Sequence, residues 1–134
     1  TNLLMIQIEK TKIIYPELSY TVTGICFDVH NTKGRFLREK QYGDEIEQRL
    51  KASSVPHKRE LRLNDGDVTD FVVNDKIILE IKAKRLLEKN DFYQLQRYLQ
   101  RSGLKLGLLV NFRNRYLKPV RVIRIDTNAR HKFV

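Results

Sequence analysis

Hydrophobic residues recur at helical spacing in three parts of the chain. The first segment begins at Pro16, where the missing proline N–H costs a helix nothing, and Gly34 is placed to cap its end. A second helix is predicted over residues 36–52 and a third over residues 87–102. The apolar stripe of the second helix consists of Phe36, Tyr42, Ile46 and Leu50.

Shorter apolar runs predict five strands, over residues 57–63, 68–73, 76–83, 106–112 and 120–125. Asn64-Asp65-Gly66 and Asn74-Asp75 are the predicted turns between the first three strands. The predicted order is α-α-β-β-β-α-β-β, in one domain over residues 1–134. Because the interior strands are rich in Ile, Leu and Val, we expect an α/β fold with helices on both faces of the sheet. We expect residues 1–4, which precede Met5, to be a tag remnant or part of a larger fragment.

The charge balance favours a polyanionic partner. Lysine and arginine total 26 against 16 aspartates and glutamates, which gives a net charge of +10. Nucleic acid is the first class of partner that such a charge predicts, and an anionic membrane surface is the second. A soluble protein that is merely basic is the alternative, since charge alone does not specify chemistry. No apolar run approaches the roughly 18–20 residues that span a bilayer, so we expect no membrane segment.

The chain has a single cysteine, Cys26, on the apolar face of the first predicted helix. One cysteine forms no internal disulfide and does not build a zinc or iron–sulfur site alone. We therefore expect a buried, inert residue and a reducing, cytoplasmic location.

Charged residues interrupt the strand over residues 76–83, which otherwise resembles a core strand. Side chains alternate along a strand, so Glu80 and Lys82 project from the same face. Asp70 lies ten residues earlier. A two-residue turn at Asn74-Asp75 would pair Asp70 with Leu79 and point it away, whereas three connecting residues or a bulge would bring it opposite Glu80. Because a shared metal needs the second arrangement, we predict the irregular hairpin.

Two carboxylates on adjacent strands would form a hard oxygen site, which suits Mg²⁺ or Mn²⁺. Such an ion polarises a phosphoryl oxygen and acidifies a bound water. Lys82 would orient or deprotonate that water and offset negative charge. The alternative is a structural Glu80–Lys82 pair with Asp70 at a turn.

Two helical residues are further candidates. Glu39 falls within the apolar stripe of the second helix, where an inward carboxylate needs a cation or a metal, although pairing with Arg38 or Lys40 is the alternative. Gln94 on the third helix is placed to reach the strand-borne site and hold a water or a phosphate. Its alternative is an ordinary surface glutamine.

Basic residues outside this constellation are candidates for nucleic-acid binding, with a solvated basic surface as the alternative. They are Arg38, Lys84, Arg113, Arg115 and Arg121. His30, near the end of the first helix, is expected to act as a cap.

The ordered set of motifs resembles the GxxExxY family over residues 17–125. The matching segments are Glu17–Tyr20, Val29–Asn31, Phe36–Tyr42, Asp70–Val73, Asp75–Ala83, Gln94 with Tyr98-Leu99, and Gly103–Phe112. Glu39 and Tyr42 occupy the Glu and Tyr places of the motif that names the family. The chain departs from the family pattern in a shorter segment between Val55 and Asp70 and in the single Gly34 before the motif. Both departures bear on the shape of the substrate.

The resemblance implies a PD-(D/E)XK nuclease with a restriction-endonuclease-like core, in which helices flank a central mixed β-sheet. It implies Mg²⁺-dependent hydrolysis of phosphodiester bonds. Asp70, Glu80 and the backbone carbonyl of Ile81 match metal ligands, joined by the helix-borne Glu39. Lys82 matches the catalytic lysine and Gln94 the motif glutamine.

Three hypotheses follow for the function. The first is a nuclease acting on DNA, including a Holliday-junction resolvase, for which we would expect a homodimer. The second is a nucleic-acid-binding module that keeps the fold without turnover. The third is a protein-interaction domain whose positive surface meets an acidic partner. Metal-dependent cleavage would separate the first hypothesis from the others, and strong salt dependence would favour nucleic acid.

Overall fold

The computed structural model describes residues 14–63 and 66–126 of the chain. Within them, three helices and five strands follow the predicted order. The helices are α1 (Pro16–Lys33), α2 (Glu39–Ala52) and α3 (Lys89–Ser102). The strands are β1 (His57–Arg62), β2 (Val68–Val73), β3 (Ile77–Lys82), β4 (Leu106–Asn111) and β5 (Val120–Ile123). The features predicted at residues 1–4 and at Asn64-Asp65 lie outside the described residues.

The strands form one mixed sheet in the order β1-β2-β3-β4-β5. Strands β3 and β4 are parallel, and the other neighbouring pairs are antiparallel. Helix α3 lies between β3 and β4 in the chain and supplies the long crossover that a parallel pair requires. The predicted α/β fold, with a central mixed sheet flanked by helices, is confirmed.

Helices cover both faces of the sheet. On one face, Ile77, Leu79 and Ile81 of β3 belong to a core cluster with residues of α1 and α2. On the other face, Ile78 packs in a second cluster with residues of α3, including Leu95. Side chains alternate along β3, so Glu80 and Lys82 share the face of Ile78 and project toward α3.

The β2–β3 hairpin has the irregular connection that the sequence predicts. Phe71 pairs with Leu79 and Val73 pairs with Ile77, so three residues connect the strands. Two of them, Asn74 and Asp75, have positive φ values of 52° and 53°, which short polar side chains tolerate better than most residues do. This register brings Asp70 opposite Glu80.

The second helix begins later than predicted. Arg38 has an extended backbone, and its N–H donates to Oε1 of Gln41 at 2.9 Å, which fixes the first helical residue at Glu39. Phe36 therefore lies outside the helix with 74% of its surface exposed, so its place in the apolar stripe was predicted wrongly. The other stripe residues, Tyr42, Ile46 and Leu50, are buried as predicted.

The other differences are small: β1, β3 and β4 are each shorter than predicted by one residue at an end, at both ends in β3, and α3 and β5 by two residues at one end. Helix α3 begins at Lys89, because Asp91 Oδ2 accepts the N–H of Glu88 at 2.7 Å and so defines the start of the helix. Strand β5 ends at Ile123 rather than at residue 125. The N–H of Arg124 still donates to the carbonyl of Lys105 at 2.9 Å, but the N–H of Ile125 donates to Gln96 Oε1 on α3 at 3.2 Å.

Cys26 lies in the core as predicted, with no exposed surface. Burial raises the pKa of its thiol to about 12, so the group stays protonated and unreactive. None of the helices in the described part of the chain is long and apolar enough to cross a membrane.

Candidate active site

Asp70 and Glu80 meet where β2 and β3 separate, at a place that we call the fork and define by Asp70, Glu80 and Ile81. The regular backbone pairing of the two strands stops at Phe71 and Leu79. Beyond them the N–H of Asp70 donates to Glu80 Oε1 at 2.9 Å, and the N–H of Ile81 donates to Asp70 Oδ2 at 2.7 Å. At the fork, carboxylate oxygens therefore replace the carbonyl acceptors of an ordinary ladder.

Burial makes the two carboxylates difficult to ionise together. Glu80 is only 4% exposed, and this burial, together with the neighbouring charge of Asp70, raises the pKa of Glu80 well above its ordinary value. Burial also raises the pKa of Asp70, against the opposing effect of the Ile81 N–H. A buried and a half-buried carboxylate in contact carry their full charge readily only when a cation offsets it.

Lys82 and Gln94 are brought together beside the fork. The ammonium Nζ of Lys82 donates to Gln94 Oε1 at 3.0 Å, and it lies 3.8 Å from Oδ1 of Asp91. The predicted approach of Gln94 to the strand-borne residues is therefore present. Its side chain contacts the lysine, so Gln94 sets the position of the Lys82 ammonium.

Glu39 lies in the first turn of α2 with an exposed side chain, not on the inward face that the sequence suggested. The helix begins at Glu39, and the buried face starts one turn later with Tyr42 and Gly43. Among the described residues Glu39 forms no ion pair, so the alternative of pairing with Arg38 or Lys40 is absent. Glu39 nevertheless lines a cavity of about 230 Å³ that Asp70 and Ile81 also line.

Sequence reasoning missed Asp91, which anchors two lysines of the site. Asp91 is 7% exposed, and its Oδ2 accepts from Lys84 Nζ at 3.0 Å. Burial opposes ionisation, but the N–H of Glu88 and the Lys84 ammonium prevail and lower the pKa of Asp91. The Glu88-x-x-Asp91 spacing at a helix start is the signal that points to it.

Glu60 was also missed, and its backbone is unusual. It lies in β1 opposite Asp70, between the pairs Arg59–Phe71 and Leu61–Thr69, with a φ of 54°. Its side chain lines the same cavity as Glu39 and Asp70. Nothing in the charged sequence of β1 distinguishes Glu60, because a positive φ is usually signalled by glycine, asparagine or aspartate and this residue is a glutamate.

The end of β4 adjoins the site because β3 and β4 run in parallel. The N–H of Phe112 donates to the carbonyl of Lys82 at 2.9 Å. Asn111 is 2% exposed and bonds both backbone groups of Lys84, accepting from its N–H at 3.1 Å and donating to its carbonyl at 2.7 Å. The loop that carries Arg113 is thereby joined directly to the segment that carries Lys82 and Lys84.

The predicted nucleic-acid-binding residues fall into two groups. Arg38, Lys84, Arg113 and Arg115 lie on segments that adjoin the site or the β4–β5 loop. Arg121 lies on β5, two strands from β3, and its guanidinium bonds Ser19 Oγ at 2.6 Å and the Ile14 carbonyl at 2.8 Å. These bonds tie β5 to α1 and give Arg121 a structural role.

His30 does not act as the predicted helix cap. Its Nε2 lies 2.8 Å from the carbonyl oxygen of Asn114, to which it donates, and its ring packs against Phe112 with centroids 6.3 Å apart. The N–H of Gly34 supplies the cap instead, by donating to the carbonyl of His30 at 2.9 Å. His30 therefore fastens α1 to the β4–β5 loop.

The donor set of the fork fits a hard divalent cation that keeps part of its hydration. No group of three or more His, Cys, Asp or Glu side chains that could hold a metal occurs among residues 14–63 and 66–126. The fork offers two carboxylates and the carbonyl of Ile81. Mg²⁺ is commonly bound by one or two carboxylates plus waters and substrate oxygens, so an open set of this kind suits it.

Comparison with known proteins bears on the family and the fold. The sequence model described as the PD-(D/E)XK nuclease superfamily matches residues 16–125. No curated protein matches the chain. The crystal structure of the protein SSO0001 is similar, with a TM-score of 0.53 and 20% sequence identity over 86% of this chain and 60% of SSO0001. At that identity the likeness shows a shared fold, and this chain spans about 60% of the SSO0001 chain.

The family match covers all eight elements of the sheet and its helices, from the start of α1 to the end of β5. The matched range also contains the fork, Lys82 and Gln94. The chain therefore belongs to the PD-(D/E)XK nuclease superfamily.

Proposed function

We propose that this protein is a divalent-metal-dependent nuclease that hydrolyses phosphodiester bonds in DNA. The observation that carries the proposal is the fork, where the half-buried Asp70 and the buried Glu80 form a carboxylate pair beside the Lys82 ammonium. Membership of a nuclease superfamily supports the reaction class. The net charge of +10 supports a nucleic acid as the substrate.

Asp70, Glu80 and the carbonyl of Ile81 are the groups that would hold Mg²⁺ or Mn²⁺. Glu39, on the rim of the adjoining cavity, would add a carboxylate through water. When bound, such an ion stabilises charge on a phosphoryl oxygen and lowers the pKa of a coordinated water. Hard oxygen ligands of this kind favour Mg²⁺ and Mn²⁺ over softer metals.

Lys82 would act directly on the reacting groups. It projects from the same strand face as Glu80, and Gln94 and Asp91 hold its ammonium from the side of α3. A positioned ammonium orients the attacking water and offsets the negative charge that develops on the phosphate. Asp91 and Gln94 are positioning residues, since both act through Lys82.

The GxxExxY resemblance adds a role for Tyr42, which we propose braces the segment before Glu39. The Tyr42 hydroxyl donates to the carbonyl of Gly34 at 2.7 Å and accepts from the N–H of Leu37 at 3.2 Å. Its ring stacks on Phe112 with centroids 4.3 Å apart. These contacts support a motif in which the tyrosine holds the loop and the glutamate faces the cavity.

The test is cleavage of labelled single-stranded, duplex and four-way-junction DNA in Mg²⁺, Mn²⁺ or EDTA. Wild type is compared with Asp70→Asn and Lys82→Ala. We expect wild type to cleave only with metal and both variants to lose cleavage while binding DNA. Preference for the four-way junction, together with a dimer in sedimentation, would specify a resolvase.

Two other outcomes would reject the proposal. If wild type binds all three DNAs without cutting in either metal, the chain is a binding module and Lys82 belongs to a structural pair. If it binds none of them and its affinity for an acidic protein varies little with salt, the chain is a protein-interaction domain. Nucleic-acid binding would instead weaken steeply as salt rises.

A further inference from the structure

An exposed phenylalanine has two arginines close to its ring, in a group that we call the Arg–Phe cluster (Arg35, Phe36 and Arg113). Phe36 is 74% exposed. The guanidinium carbon of Arg35 lies 4.9 Å from the centre of its ring and that of Arg113 lies 5.5 Å away. The cluster joins the α1–α2 loop to the β4–β5 loop.

Reciprocal hydrogen bonds fix the two loops to each other. Arg35 Nε donates to the carbonyl of Arg113 at 2.9 Å, and Arg113 Nε donates to the carbonyl of Arg35 at 3.1 Å. In the part of the chain that the structure describes, no carboxylate forms an ion pair with either arginine. Two cations held at one ring without a counter-charge repel each other, and an anionic ligand would relieve that repulsion.

The cluster is connected through the chain to Glu39 on one side and to Lys82 and Lys84 on the other. Phe36 is three residues before Glu39, a chain separation of at most roughly 11 Å. Arg113 follows Asn111 and Phe112, which bond the backbone of Lys84 and Lys82. The loops that carry the cluster thus continue into the segments that carry Glu39, Lys82 and Lys84, so a nucleotide held at the cluster would belong to the same strand as the phosphate presented to the fork.

An exposed aromatic face with flanking arginines matches the requirements of an unpaired nucleotide. Any base stacks on an aromatic ring, and arginine adds contacts to the phosphates and to the π face. In a duplex the faces of the bases are occupied by their neighbours. We propose that the Arg–Phe cluster binds an unpaired nucleotide of single-stranded DNA beside the cleavage site, with Phe36 stacking on the base and Arg35 and Arg113 contacting phosphate.

This inference rests on the proposed function for its substrate, but binding tests it without catalysis. The chain contains no tryptophan, so the variant Phe36→Trp carries a single indole at the cluster. In EDTA we expect single-stranded DNA to quench its fluorescence strongly and blunt duplex DNA of equal length to quench it little. The matched control is Tyr20→Trp on α1, an equally solvent-exposed aromatic position at 81%, which neither DNA should quench.

Affinity supplies a second readout. Phe36→Ala should weaken single-strand binding by about 5- to 100-fold, the scale of one base stacked on a ring, and leave duplex binding nearly unchanged. Arg35→Gln and Arg113→Gln should each lower the salt slope of single-strand binding by about 0.7, whereas Phe36→Ala should not change it. Tyr20→Ala should alter neither property. Because Phe36 and Tyr20 are exposed, the variants at these two positions should keep the unfolding midpoint of wild type. Arg35→Gln and Arg113→Gln each remove a hydrogen bond between the loops, so their affinities are compared at a temperature where thermal unfolding shows the variant fully folded.

Three results would overturn the inference. They are equal quenching of Phe36→Trp by single-stranded and duplex DNA, no quenching by either, and equal loss of affinity for both DNAs in Phe36→Ala. Failure of the proposed function is a separate result. If wild type never cleaves DNA but single-stranded DNA quenches Phe36→Trp, the inference stands and the proposed nuclease activity is rejected. If wild type cleaves DNA but the quench is absent, the nuclease proposal stands and this inference is rejected.

Discussion

The two ends of the β2–β3 hairpin are built on different principles. At the turn end, Val73 pairs with Ile77 and Val72 with Ile78, and all four side chains are buried apolar groups. At the fork, the backbone pairs give way to bonds between carboxylates and backbone N–H groups. One end buries hydrocarbon, and the other buries charge.

The turn end of the hairpin contributes to stability, whereas the fork carries the groups suited to chemistry. Apolar side chains on the turn end gain free energy from burial. The fork carboxylates are disfavoured by burial, which raises the pKa of Glu80 and Asp70. Groups perturbed in this way are typical of functional sites, where they lower stability in exchange for reactivity.

The largest expected effect is the difference in cleavage between two variants that each neutralise one aspartate, one at the fork and one at the turn end of the hairpin. Asp70→Asn should lower metal-dependent cleavage by roughly 100-fold or more, the scale of losing one group that stabilises the transition state. Asp75→Asn should leave cleavage unchanged, because Asp75 is an exposed turn residue with a positive φ that asparagine tolerates. Initial rates of cleavage under matched metal and salt measure both variants.

The pair of variants carries its own control, since each removes one carboxylate from the same hairpin. Equal losses of activity in Asp70→Asn and Asp75→Asn would mean that the reaction depends on the charge of the hairpin and not on the fork.

The next effect concerns stability and compares neighbouring residues of β3. Leu79→Ala should lower the free energy of unfolding by about 2–5 kcal/mol, because it opens a cavity under a fully buried side chain. Glu80→Gln should keep or raise the free energy of unfolding without metal, since it removes a buried charge that repels Asp70. Urea denaturation in EDTA measures both. A loss in Glu80→Gln as large as that in Leu79→Ala would make the fork a structural pair.

The sequence predicted the order of the elements and the shared face of Glu80 and Lys82 on β3, because apolar periodicity and turn residues are local signals. It also predicted the three-residue hairpin connection, from the requirement that Asp70 meet Glu80. It missed Asp91, Glu60 and the exposure of Phe36. Those features depend on where α3 packs, on one backbone angle and on where α2 begins, and none of these is determined by hydrophobic pattern alone.

Metal and pH should act on the fork together. The pKa of Glu80 is raised above its ordinary value near 4.5, so the folded state binds more protons than the unfolded state between the two pKa values. The contribution of Glu80 to the free energy of unfolding without metal is therefore fully present below the ordinary pKa, and it is lost as pH rises toward the raised pKa. Excess Mg²⁺ should restore it at high pH, by about 2.7 kcal/mol at a hundred times the dissociation constant.

Thermal unfolding of wild type at pH 5 and pH 8, with Mg²⁺ or EDTA, measures this linkage. We expect the Mg²⁺ shift to be larger at pH 8, to vanish in Glu80→Gln and to persist in Asp75→Asn. The same Mg²⁺ shift in wild type and Glu80→Gln would locate cation binding away from the fork.

The smallest expected effect lies in β1, opposite the fork. Glu60 has a φ of 54°, in a region that disfavours every residue with a side chain except short polar ones. Glycine adopts that conformation without steric strain, so Glu60→Gly should raise the free energy of unfolding by about 1 kcal/mol after its own entropic cost is counted.

Lys58→Gly is the matched control, because Lys58 is an exposed residue of the same strand with a regular pair, Val72. At Lys58 there is no positive φ, so glycine relieves no backbone strain, and the free energy of unfolding should fall by about 0.5–1 kcal/mol. Opposite signs in urea denaturation would mean that strain in β1 is confined to the residue facing Asp70, so that the irregular backbone belongs to the fork. A loss of stability in both variants would mean that Glu60 is an ordinary strand residue whose side chain stabilises the sheet edge.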